Sequence, residues 1–190
     1  EEAEKQGVDS YDLINQDVEN VPIGSRRLLY LPYLMGERTP HLNPNCRGVF
    51  FGLSAIHTKA DMLRAVMEGV SYSLSDCLDI LREMQVDVSE MMACGGGGKS
   101  KIWRQMLADM YGCEVKTIKA QEGPALGVAI LAGVGAGIFN DVQSACRQFI
   151  AQETYCQPEP ASKAYYEKGH ALYKKLYVQL KDCYEELAQL

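Results

Sequence analysis

Four consecutive glycines, Gly95 to Gly98, stand between a β-prone segment, Ser89 to Cys94, and a helical pattern whose apolar face is Ile102, Trp103, Met106, Leu107 and Met110. Ordering each glycine costs roughly 0.5–1 kcal/mol more than ordering alanine, so four in one structured turn favour a ligand held close to the backbone over a plain connection. Backbone N–H groups beside a helix start suit a phosphate. A Walker A loop is excluded, because G-x-x-x-x-G-K-[ST] needs a glycine where this chain has Ala93, inside the strand. The segment from Glu114 to Lys119 also lacks the aspartate that a Walker B strand ends on.

The rest of the chain places this turn in an α/β frame. Arg27 to Leu31 and Gly48 to Leu53 read as short strands, the second one buried, and Gly36 to Asn45 with its two prolines reads as a long ordered loop. Thr58 to Asp61 has the form of a capping box for the longest helix, whose apolar positions run from Met62 to Leu81. Ala65, Gly69 and Ser73 form a stripe of small residues on that helix, which lets another backbone approach. Gly112 closes the helix after the glycine run, Cys113 to Ile118 is a further strand, and Pro124 opens a helix reaching about Gly137. Asp141 is placed to cap a short helix, Pro158 and Pro160 mark a linker, and a tyrosine-rich helix ends the chain. Strand and helix alternate as in a mixed sheet flanked by helices.

The totals narrow the function classes. A net charge of −6 and an isoelectric point near 5.1 argue against a nucleic-acid or acidic-membrane partner. Seven cysteines with no C-x-x-C pair fit free thiols of a reducing compartment, and Cys94 is expected to be a buried small residue. The longest apolar stretch, Ala125 to Phe139, is too short and glycine-rich to span a bilayer, so the expectation is a soluble, cytoplasmic protein. Glu1 to Gly7 reads as the tail of a helix stopped by glycine, which suggests a piece of a longer chain.

Three segments together resemble the C-terminal half of FGGY-family carbohydrate kinases: Leu31-Pro-Tyr-Leu-Met-Gly-Glu-Arg-Thr-Pro40 running on to Gly69, Gly95-Gly-Gly-Gly-Lys-Ser100 running on to Asp109, and Glu122-Gly-Pro-Ala-Leu-Gly127 running on to Ala132. The resemblance implies an actin-like, ribonuclease-H-like ATPase lobe over 26–140, preceded by a remnant at 1–25 and followed by a helical extension at 141–190. It implies ATP with Mg²⁺ as cofactors, an N-terminal lobe of the same protein as partner, and a pentulose, D-xylulose first, as phosphoryl acceptor. A non-catalytic nucleotide-sensing or interaction module on the same fold is the alternative of another class.

By the same resemblance Gly95, Gly96, Gly97, Gly98 and Ser100 face the nucleotide, with Ser100 standing where many relatives carry an asparagine against the base. Gly97 is expected to need positive φ. Gly123 and Ala125 are secondary candidates at a second helix start, where packing by small residues is an even alternative. Glu37 and Arg38 are candidates for positioning sugar, metal or the other lobe, with a structural role favoured. His41 and His57 lack metal-ligand spacing and read as surface or hydrogen-bonded. Trp103 reads as core, and the final helix's tyrosines pack on their own domain in preference to a second copy. No catalytic residue or metal ligand is assigned: Asp61, Asp76, Asp79, Asp109 and Asp141 read as caps or helix-surface positions, and the resemblance puts the catalytic aspartate upstream.

Overall fold

The computed structural model describes residues 2–118, 123–150 and 152–190. Helix α1 (Glu2–Gln6) ends at Gly7 in the left-handed region, φ 66°, and α2 (Ser10–Glu19) starts on Asp9, whose carboxylate accepts from Tyr11 N at 2.8 Å. The expected first strand begins two residues late, as β1 (Leu29–Leu31). Ser25, Arg26 and Arg27 have φ of 46°, 55° and 73°, so no strand forms there and the chain makes a tight turn instead. Side chains on the following helix hold that turn: Glu68 accepts from Gly24 N and Ser25 Oγ, both at 2.8 Å, and Asp61 accepts from Arg26 Nε at 2.9 Å.

Strand β2 (Val49–Phe51) pairs antiparallel with β1 and is less buried than its composition suggests, since Phe51 is half exposed. The long helix α3 (Lys59–Glu83) has the capping box in full: Thr58 Oγ1 accepts from Asp61 N, and the Asp61 carboxylate accepts from Thr58 N. The small-residue stripe has its reason in Gly69, where a Cβ would lie 2.2 Å from the carbonyl oxygen of Tyr30. Only glycine lets β1 cross the helix at that height.

Strand β3 (Glu90–Met92) leads into a five-residue helical turn, α4 (Gly95–Lys99), and then α5 (Lys101–Tyr111), which Gly112 closes at φ 64°. Strand β4 (Glu114–Ile118) lies parallel to β3, with Met91 opposite Val115. Helix α6 (Gly123–Gly135) packs on α7 (Val142–Phe149), which Asp141 caps through Ser144 N at 2.7 Å. Next comes β5 (Gln152–Cys156), a strand in a segment whose sequence suggests only helices; it pairs antiparallel with β4 and makes the sheet mixed, in the order β3-β4-β5.

Pro160 is the first residue of α8 (Pro160–Leu187), where its missing N–H costs nothing. Tyr166, Tyr173 and Tyr184 of α8 are buried in one core with Tyr72 and Met67 of α3, Met106 of α5 and Val18 of α2. The tyrosines serve their own domain, and α2 belongs to the same core. Among the described residues no helix is long and apolar enough to cross a membrane.

Candidate functional site

The glycine run is itself a helical turn, and each glycine has a separate physical reason. Gly95 alone of the four has positive φ, 75°, as the chain leaves Cys94. Gly96 faces open space, with no atom within 4 Å of where a Cβ would be. Gly97 does not need positive φ, against expectation; its Cβ would instead lie 3.1 Å from the Trp103 ring. Gly98 is buried, and its Cβ would lie 2.8 Å from the carbonyl oxygen of Ala93. Arg104 Nη1 donates to the carbonyls of Gly98 at 2.6 Å and Lys99 at 3.0 Å, fixing the turn from below. Cys94 is exposed rather than buried, because it sits at the mouth of the turn.

A cavity of about 670 Å³ opens beside this turn. Gly96, Gly97, Lys99 and Ser100 form one side, Leu63, Val66 and Met67 of α3 the floor, Trp103 of α5 the back, and Asp9, Tyr11, Asp12, Ile14 and Asn15 around α2 the far wall. The Trp103 indole is pinned by Nε1 donating to Ser71 Oγ at 2.9 Å; it packs against the core, as expected, and also forms a wall of the cavity. Ser100 is buried and caps α5, its Oγ accepting from Trp103 N at 3.2 Å and donating to Asn15 Oδ1 at 2.7 Å. The contribution of α2 is not legible in sequence, because Asn15 and Ser100 are 85 positions apart.

The other candidates lie elsewhere. Gly95 and Gly98 flank the cavity without lining it, and Ala125 near the start of α6 does not line it either. Glu122 lies outside the described residues. Glu37 is a loop anchor: it accepts from Arg38 N at 2.7 Å, Thr39 N at 3.2 Å and Ser73 Oγ at 3.3 Å, tying the 36–45 loop to α3, while the Arg38 side chain is exposed.

Of the aspartates read as caps or helix-surface positions, Asp61 is a cap as expected, and Asp61, Asp76 and Asp109 are all buried. Asp61 is held below the usual carboxylate range: burial acts to raise its pKa, and the Thr58 donors together with Arg26 outweigh it. Asp109 is raised by burial, although Glu159 N and Gln105 Nε2 donate to it. Asp76 accepts from His170 Nε2 at 2.6 Å, and its second oxygen lies 3.9 Å from His41 Nε2. Asp76, Asp79 and His170 are close enough to hold a metal, yet they are engaged with one another and with Lys174, whose Nζ donates to Asp79 at 2.9 Å.

The His41 ring stacks on Tyr177 at 3.4 Å, and burial lowers its pKa below 6.5 against the opposing pull of Asp76 and Glu37. A histidine whose folded pKa lies below its unfolded value binds fewer protons folded than unfolded, so its contribution to stability is complete above about pH 6.5 and is lost as pH falls from there through the folded pKa. Thermal unfolding of the chain between pH 7.5 and 5.5 is expected to fall more steeply than that of His41→Gln. Parallel curves would remove His41 as a source of the dependence.

The sequence profile of the FGGY family of carbohydrate kinases, C-terminal domain, matches residues 1–136. The chain belongs to the FGGY family. This FGGY chain is 38% identical to xylulose kinase from Staphylococcus epidermidis over 179 residues, which is 94% of this chain and 36% of that protein. It superimposes on ligand-bound xylulose kinase from Lactobacillus acidophilus with a TM-score of 0.85 at 33% identity, covering 92% of this chain and 35% of that one. Gluconate kinase from the same organism gives a TM-score of 0.83 at 32% identity over the same shares. The FGGY chain therefore has the actin-like ATPase fold of these sugar kinases, and it spans about a third of the length of the relatives it matches.

Proposed function

We propose that this chain is the ATP-binding part of a cytoplasmic sugar kinase that transfers the γ-phosphoryl of ATP to a ketopentose, D-xylulose in first place. The observation that carries the reading is the cavity beside α4, where Gly96 offers an uncovered backbone next to an apolar slot between α2, α3 and Trp103. A slot of this size with apolar walls and a few polar groups suits a purine nucleoside, and the exposed turn at its rim suits the phosphates. D-xylulose is preferred to gluconate because the S. epidermidis relative at 38% identity and the solved structure at TM-score 0.85 are both xylulose kinases.

Mg²⁺ belongs to the reading as the companion of the phosphates. The carboxylates lining the cavity are Asp9 and Asp12, and Asp9 is committed to capping α2, so the described residues offer no three-ligand metal cluster there. The catalytic base is assigned to the rest of the kinase, as a sugar hydroxyl needs a carboxylate to take its proton. Within this chain Asp61, Asp76, Asp109 and Asp141 are each spent on caps or buried bonds. What the chain supplies is a fixed seat that holds the nucleotide while the other lobe closes, so its part in catalysis is positioning.

The test is ADP release coupled to a second enzyme, with ATP, Mg²⁺ and each of D-xylulose, gluconate and glycerol. Expected are no sugar-dependent turnover by the chain alone and, for the intact kinase, kcat/KM for D-xylulose about tenfold or more above the other two. Turnover by the chain alone, or a preference for gluconate, contradicts the corresponding half of the proposal.

A further inference from the structure

We infer that Asn15 reads the base of the bound nucleotide and that Ser100 orients its amide for the task. The inference rests on the nucleotide reading of the cavity and adds the residue that distinguishes a base from any other flat group.

Ser100 has one hydroxyl hydrogen to donate. Its hydroxyl oxygen accepts the Trp103 N–H as the cap of α5, and its single hydrogen is donated to Asn15 Oδ1 at 2.7 Å. An asparagine amide has one acceptor oxygen and one nitrogen with two donors. That bond fixes which way the amide faces, with one lone pair of Oδ1 filled, and leaves Nδ2 as a directional donor with no protein partner among the described residues. Asn15 lines the cavity and carries the only amide side chain among the described residues that do. Around it stand Ile14, Leu63, Val66, Met67 and Trp103, surfaces that take the faces of an aromatic ring. A directional donor in a slot for a flat ring calls for a ring with an unprotonated nitrogen at its edge, and a purine has one. Ser100 is in this account a positioning residue, because it acts on the base through Asn15.

The experiment measures binding of ADP to the chain by calorimetry, with tripolyphosphate as a probe that has the phosphates and lacks the base. Asn15→Leu removes the amide at similar volume and is expected to weaken ADP about tenfold, the loss that leaves one ring nitrogen unpaired, while tripolyphosphate affinity stays within about twofold. Asn15→Asp keeps the acceptor facing Ser100 and turns a second oxygen toward the base, so it is expected to weaken ADP at least as much. Ser100→Ala is expected to weaken ADP on its own, and the double variant Asn15→Leu with Ser100→Ala to bind no worse than Asn15→Leu within about twofold, since the two act as one unit.

Unchanged ADP affinity in Asn15→Leu and Asn15→Asp variants with native melting temperature overturns the inference. So does an equal loss for ADP and tripolyphosphate, which would make the Ser100–Asn15 pair a structural tie between α2 and α5. Absence of ADP binding by the unmodified chain is a different failure, that of the nucleotide reading itself.

Discussion

Glu68→Ala is expected to cost about 3–5 kcal/mol, the loss found when one member of a buried ion pair is removed. Glu68 is 2% exposed and accepts four hydrogen bonds, from Gly24 N and Ser25 Oγ at 2.8 Å and from Arg64 Nε and Tyr166 Oη at 3.0 Å. Its removal strands the Arg64 guanidinium, itself 9% exposed at the side chain, with only the Tyr166 hydroxyl as partner among the described residues. It also releases the left-handed run Ser25–Arg27, three non-glycine residues in a region that costs roughly 1–2 kcal/mol apiece. The carboxylate thus joins three parts of the molecule: the turn before β1, helix α3 and helix α8. For a domain of this size the melting temperature is expected to fall by about 10 °C, read by circular dichroism. Glu68→Gln should fall between the two, as it keeps shape and loses charge. A drop of under 2 °C in Glu68→Ala would show, at about 2–4 °C per kcal/mol, that the network contributes little.

Gly69→Ala is expected to destabilise by about 3 kcal/mol, although alanine is the better helix former by about 1 kcal/mol. The added methyl would sit 2.2 Å from the Tyr30 carbonyl oxygen and 3.0 Å from its carbon, and backbone cannot rotate out of the way as a side chain can. Helix α3 and β1 must therefore separate, which opens the core where Leu28, Tyr30 and Ala65 pack. Gly127→Ala in α6 is the matched control, with nothing within 4 Å of the new methyl. It should leave stability unchanged or raise it by about 0.5–1 kcal/mol. Denaturant midpoints of the two variants decide the matter, and a neutral Gly69→Ala would mean that β1 does not lie where it is described.

What sequence makes legible here is local, and what it misses is made by contacts far apart in the chain. Thr58 and Asp61 specify the start of α3 within four residues, Gly112 stops α5, and the stripe through Gly69 announces a close backbone neighbour without saying which. The glycine run is correctly placed between strand and helix, yet its glycines differ: Gly95 takes positive φ and Gly98 packs on the Ala93 carbonyl, while Gly96 and Gly97 line the cavity. The turn at Ser25–Arg27 overrides the β propensity of Arg27 and Leu28 because Glu68, more than forty residues on, holds it. Asp61, Asp76 and Asp109 sit at helix positions with polar neighbours and give no sign of burial until α8 and the turn before β1 are packed over them. The wall that α2 adds to the cavity follows the same logic. Its Tyr11, Ile14 and Asn15 form no motif, and only the tertiary fold brings them to the glycine turn.

The central claim is that adenine nucleotide sits in the cavity bounded by the glycine turn, α2, α3 and Trp103, and Trp103, the single tryptophan of the chain, reports on it directly. The measurement is a titration of the chain with ADP followed by tryptophan fluorescence, repeated on Gly97→Val, whose new side chain starts 3.1 Å from the indole and grows into the cavity. The account predicts a saturable change in emission for the unmodified chain and its loss, or a shift of about tenfold or more in midpoint, for a Gly97→Val variant that still unfolds cooperatively. A folded Gly97→Val chain that titrates like the unmodified one, or ADP binding seen by calorimetry with no change at Trp103, would contradict it.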